Sequence, residues 1–281
     1  MTSPSEAVIG AGSSPLHVVR TRRVPSQSVN LRRAVNSEWI KFRSLRSSWA
    51  MLGVALTAML AFALIVAYQT RHLNHSLQAA DLAPSGTLQG YYLAELLIGA
   101  LGVLFVTGEY STGMVRSTLI AVPKRVPVLW AKLIVFVAVI AVTTLIVSFV
   151  AFIAGQGLLS AYRPARSLGD PGVLRVIIGT AVYLTTLGVV GAACGWITRS
   201  TPGGLVAYVG LILVLPVLFG DALGHWGKHV AEFFPGSAGA SFSTSLPESP
   251  HLSPWVGLVV MVIWAVLGIA ASVVLLRRRD A

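Results

Sequence analysis

From Trp255 to Leu276 the chain runs without a single charged side chain. A helix of roughly 18 apolar residues or more crosses a hydrocarbon core of about 30 Å. Mainly apolar runs also occur at Trp49–Tyr68, Tyr91–Thr107, Val128–Ala154, Val173–Thr198 and Gly204–Phe219, the second to fourth of these holding one charge each (Glu95, Lys132, Arg175) and the fifth carrying Pro216. Lipid offers the backbone no hydrogen-bond partners, so such runs must satisfy their amides internally as helices. Only 11% of the 281 residues are charged, far below the ~25% of soluble domains, and the mean hydropathy is +0.76. The predicted fold is therefore all-α and polytopic, with about six transmembrane helices.

The Ser/Pro/Gly-rich stretch 1–30 has too little apolar material for a core and is predicted to be a disordered tail, leaving 31–281 as one transmembrane domain. The first apolar run begins only near Trp49, behind a long basic segment, so we expect no cleavable signal peptide and anchoring by the first span. Cys194, the only cysteine, lies inside a span and reads as a small packing residue, excluding an intrachain disulfide and a cysteine-cluster metal site. With six spans the two termini share one side. That side carries Arg20 to Arg46, Arg116, Lys124, Arg125, Arg199 and Arg277 to Arg279. Arg71, Arg163, Arg166, Arg175 and Lys228 fall on the other. The positive-inside rule puts both termini in the cytoplasm. It also accounts for the net charge of +11 without nucleic-acid binding.

Two polar segments interrupt this pattern. Leu31 to Ser48 has a helical pattern with one charged and one apolar side, as expected of an interface helix along the inner membrane surface; Glu38, Trp39, Lys41 and Arg43 are its candidate functional residues. An ordinary basic flank that fixes topology is the competing reading. The second is Gly108-Glu109-Tyr110-Ser111-Thr112-Gly113-Met114-Val115-Arg116, followed by Pro123-Lys124-Arg125. Glu109 is placed to favour the positive end of a new helix. Ser111 and Thr112 can cap it, and Gly113 permits close backbone approach by a partner. Met114, Val115 and Leu119 give an apolar face beside Arg116 before Pro123 and Pro127 stop the helix. Taken alone, such a segment reads equally as a structural turn.

Among charges near the spans, Glu95 is the candidate for a translocation path; hydration near the outer end or pairing with Arg175 are its alternatives. Lys132 is expected to snorkel to the inner surface. His72 and His75 make a weak metal site, and Asp170 and Asp221 read as turn residues in outer loops. A Gly-x-x-x-x-Gly-Lys-Ser/Thr phosphate loop, a His-Glu-x-x-His motif and a Gly-x-Ser-x-Gly elbow are all missing from the sequence.

The order of basic surface helix, two spans, Glu109-Tyr110-Ser111-Thr112-Gly113, Pro123-Lys124-Arg125 and Lys132 resembles the membrane subunits of ABC-2 type transporters. In that family a Glu-x-x-x-Gly element between spans two and three forms a coupling helix, followed by a Pro-x-x-Arg turn and a Gly-Lys. This chain has Pro123-x-Arg125 and Ala131-Lys132 instead. The resemblance covers Leu31 to Arg279 in topology and Gly108 to Lys132 in motif. It implies a permease subunit of a bacterial plasma membrane, more often an exporter than an importer. It also implies a second permease copy and separate cytoplasmic ATPase subunits that bind ATP and Mg, this chain holding no cofactor or metal of its own. Glu109, Tyr110, Ser111, Thr112, Gly113, Met114, Arg116 and Arg125 become ATPase-coupling candidates. The resemblance further implies short, partly re-entrant helices within 221–253, where Trp226, Val230, Phe233 and Phe234 face lipid or cover a pathway; a plain external loop is the alternative. A stand-alone secondary transporter and a polytopic membrane enzyme are the competing function classes.

Overall fold

A computed structural model describes residues 31–70, 88–111, 125–160, 166–243 and 252–278. Among them the regular structure is entirely helical. We number the helices α1 (Leu31–Ser44), α2 (Arg46–Thr70), α3 (Tyr91–Ser111), α4 (Arg125–Ser160), α5 (Val173–Thr198), α6 (Thr201–Val209), α7 (Leu215–Ala222), α8 (Gly224–Ala231), α9 (Pro235–Ser243) and α10 (Pro254–Arg278). A π-helical turn, Gly210–Val214, joins α6 to α7. Helices α2, α3, α4, α5, the α6–π–α7 rod and α10 are each long and apolar enough to cross a membrane. Their outward side chains are mostly aliphatic, Val142, Ile146 and Val150 on α4 and Val259, Ile263 and Val266 on α10 among them. That is what a multi-pass, membrane-embedded protein presents to lipid.

Helix α5 matches its predicted span residue for residue. It ends where Arg199 adopts a left-handed conformation at φ 53° and returns its N–H to the Gly195 carbonyl. Ser200 then caps α6, its hydroxyl accepting from the Gly203 amide at 3.1 Å, and Pro202 occupies a first-turn position that lacks an intrahelical partner anyway. Helix α4 has 36 residues, about 54 Å at 1.5 Å per residue, far more than a bilayer core requires. Pro127 stands third in α4, so it opens that helix instead of stopping the one before it.

The centre of the bundle is α3 against α5, the most extensive interface among the described residues. Of the most apolar window, 72% is buried in α5 and 61% in α3, against 11% in α10. In a membrane, helix association depends on close van der Waals packing and not on expulsion of water. Glycines supply the closeness here: a Cβ on Gly191 would run into the Gly99 backbone, and one on Gly102 into the Gly188 carbonyl.

Among the described residues, the segment between the fifth and sixth spans holds two short helices, α8 and α9. Helix α8 folds back onto α7, its Gly227 lying against the Phe219 carbonyl. Asp221 belongs to the last turn of α7, not to a loop. At the α8–α9 turn, the Trp264 indole donates to the Phe233 carbonyl at 2.8 Å, about 15 Å along α10 from Pro254. Helix α9 then rises beside α5, Gly239 against the Tyr183 ring and Phe242 against Gly179. Phe233 and Phe234 thus lie at this turn, while Trp226 remains 81% exposed.

Candidate functional site

Where α1, α3 and α4 meet, four charged side chains converge. Helix α1 turns Ala34, Glu38 and Phe42 inward, spaced four residues apart on one face. Phe42 is fully buried, edge-on to both Phe105 and Trp49 with ring centroids 5.4 Å away in each case. Phe105 in turn stacks on Phe136. This aromatic column fixes α1 across the bundle and carries Glu38 inside, 2% exposed.

Around Glu38 the charges alternate. Lys41 Nζ donates to Glu38 Oε1 at 2.6 Å and to Glu109 Oε1 at 3.2 Å. Lys132 Nζ lies 3.0 Å from Glu109 Oε1 and 3.8 Å from Glu38 Oε2. It also donates to the Phe105 carbonyl at 3.2 Å and stands 4.6 Å from the centre of the Phe105 ring. Two ammonium groups thus face two carboxylates, the four groups coming from three helices. Burial draws the Lys41 pKa down, but the hydrogen bond to Glu38 and the charges of Glu109 and Glu38 outweigh it, and the pKa ends above the ordinary lysine value. Beside the quartet is a cavity of about 450 Å³, lined by Glu38, Lys41, Ser44, Ser48, Met51 and Leu104 among others.

These positions revise the sequence reading in three respects. Glu109 does not start a helix: it lies in the last turn of α3, where the negative end of the dipole opposes a carboxylate. Lys41 and Lys132 offset that cost. Lys132 does not snorkel out, its side chain being 5% exposed and held in the quartet. Residues of the two predicted segments part company as well. Tyr110 packs toward Val106, Leu129, Leu133 and Trp196, with the Arg199 guanidinium 5.8 Å from its ring centre. Trp39 and Arg43 sit on the exposed side of α1. Ser111 ends α3 and Arg125 begins α4. Thr112, Gly113, Met114 and Arg116 lie outside the described residues, as do His72 and His75. Asp170 is a turn residue as expected, its carboxylate accepting from the Ser167 amide at 3.1 Å and hydroxyl at 3.0 Å.

Glu95 forms a second, separate constellation within α3. It is 8% exposed and accepts from the Tyr183 hydroxyl of α5. The Tyr208 hydroxyl of α6 donates to the Glu95 backbone carbonyl at 2.7 Å, and Tyr91 sets its ring edge-on to Tyr183 at 5.7 Å. The Arg175 guanidinium, the partner considered from sequence, donates to the Phe242 carbonyl at 3.1 Å. Sequence reasoning missed both tyrosines. Their signal, a phenol in an otherwise aliphatic span, was legible only as a polar tip in need of a partner.

No protein-family model and no curated protein matches this chain.

Proposed function

We propose that the chain is the membrane subunit of an ATP-binding cassette transporter of the ABC-2 type. Its partners would be a second permease copy and separate ATPase subunits bound on the cytoplasmic side. The observation that carries this reading is the quartet Glu38–Lys41–Glu109–Lys132. It joins the N-terminal amphipathic helix to the last turn of α3 and the early turns of α4, the two helices that the sequence segment 112–124 connects. A push on that segment from an ATPase is delivered to Glu109 and Arg125, and through Lys41 and Lys132 to α1 and α4. The three helix ends then move as one unit. Glycine-lined contact between α3 and α5 extends the displacement into the bundle core.

In this reading α1 lies in the inner headgroup layer with Arg32, Arg33, Arg43 and Arg46 toward lipid phosphates. The termini are cytoplasmic, α8 and α9 form a re-entrant pair from the outer surface, and the lightly buried α10 and α6–π–α7 faces meet lipid and the second copy. Export is favoured because the family that the chain resembles mostly exports. ATP and Mg would be held by the partner, with transport and hydrolysis coupled reciprocally through binding.

A photo-reactive amino acid at Met114 tests the contact. It should capture a nucleotide-binding subunit in native membranes; labelling confined to lipid or to other copies of this chain would refute it. A second reading, a stand-alone secondary transporter, is favoured by Glu95, a carboxylate held within the spans by tyrosines. It predicts substrate movement by the chain alone under an ion gradient.

A further inference from the structure

Neither constellation uses the polar stripe on α8. His225 and His229 stand one turn apart, both exposed, with their Nε2 atoms 3.3 Å apart and their rings crossed at 82°. Two histidine nitrogens held at 2.0–2.1 Å by one tetrahedral Zn²⁺ are themselves about 3.3 Å apart. The pair is therefore already at ligand spacing. Two neutral rings that both point an Nε2 lone pair into this gap repel each other unless a proton or a cation occupies it.

A third residue bears on which nitrogen is available. Glu232 Oε1 lies 3.5 Å from the other ring nitrogen of His229, Nδ1, and is buried with no hydrogen-bond partner. In histidine metal sites a carboxylate in this position takes the Nδ1–H, fixes the tautomer and leaves Nε2 free to ligate. The opposite side of α8 is fixed by Gly227 against α7, so the two rings stand on a braced helix and not on a free loop. Among the described residues no three metal-ligating side chains converge, so Glu232 acts behind His229 and not as a ligand.

We propose that His225 and His229 form a two-histidine site for a borderline divalent cation of the Zn²⁺ class, oriented by Glu232. Its remaining coordination positions lie on the exposed side of α8, open to an incoming ligand. Such a site is an open point of capture, unlike the closed four-ligand sites that hold folds together. A hard cation such as Mg²⁺, which prefers oxygen ligands, is not expected to bind.

The full chain in lipid nanodiscs, titrated with Zn²⁺ against a chromogenic chelator, tests this. The wild-type protein should bind one equivalent more than either His225→Ala or His229→Ala. Zn²⁺ held by the other four of the chain's six histidines gives the same signal in all three. Glu232→Gln should keep the equivalent but weaken it about 10- to 100-fold. Both histidines are exposed and Glu232 follows the last residue of α8, and unchanged size-exclusion profiles would verify that each variant folds. Equal stoichiometry in wild type and both histidine variants would overturn the site. Unchanged affinity in Glu232→Gln would remove Glu232 from it.

Discussion

Lys132 shows how burial changes what a charge does. A lysine near the end of a span has the option of extending to water, but here Glu109, the Phe105 carbonyl and Glu38 surround its ammonium. Removing one member of a buried pair leaves the other uncompensated, at a cost of about 3 kcal/mol or more. Lys132→Met should therefore lower the thermal unfolding temperature in detergent, and Lys132→Met with Glu109→Leu should recover part of that loss. Lys41 adds a pH signature. Its folded pKa is raised, so its contribution is fully present below its ordinary value of 10.5 and is lost as pH rises through the higher folded value. Spin-label distances between α1 and α4 should hold up to pH 10.5 and widen only as pH rises through the higher folded value, with Lys41→Met abolishing the pH dependence. In the second constellation, Tyr183→Phe leaves the Glu95 carboxylate without its donor. A loss of about 1–3 kcal/mol is expected when a buried acceptor is left without its donor, measurable by chemical unfolding in mixed micelles.

At the scale of elements, the spans were legible because hydropathy is a local property. Val173–Thr198 is predicted and observed with the same ends, and Trp255–Leu276 gains only a residue or two at each end in α10. The end of α3 was not legible. Gly108, Glu109 and Tyr110 read as a break from neighbouring residues alone, yet they continue the helix. The reason is long-range: Lys41 is 68 positions from Glu109, and its ammonium neutralises the carboxylate that would otherwise oppose the helix end. The tight α3–α5 contact was equally hidden, because glycines scattered along two spans do not reveal that they face each other. Gly191→Ala should separate these helices and lower stability sharply. Gly157→Ala, where an added Cβ meets nothing within 4 Å, should be neutral or slightly stabilising, given glycine's ~1 kcal/mol helix penalty. Thermal unfolding of the two variants side by side measures the difference.

For the molecule as a whole, the class of fold follows from length and apolarity, and six spans leave little freedom in topology. Function does not follow in the same way, since the aliphatic spans hold no pattern of polar groups that names a substrate. What the fold contributes is a junction, α1, α3 and α4 bound together by four charges near the ends of the two helices that 112–124 connects, and we propose that force enters there. The central claim is that this place answers to an ATPase. Affinity purification of the tagged chain from its native membrane in mild detergent tests that most directly, without knowledge of the substrate. A nucleotide-binding subunit should co-purify in a one-to-one ratio and hydrolyse ATP, and Gly113→Trp should reduce that ratio while the chain still inserts. Recovery of the chain with no ATP-binding partner, together with solute movement by the chain alone under an ion gradient, would contradict the account.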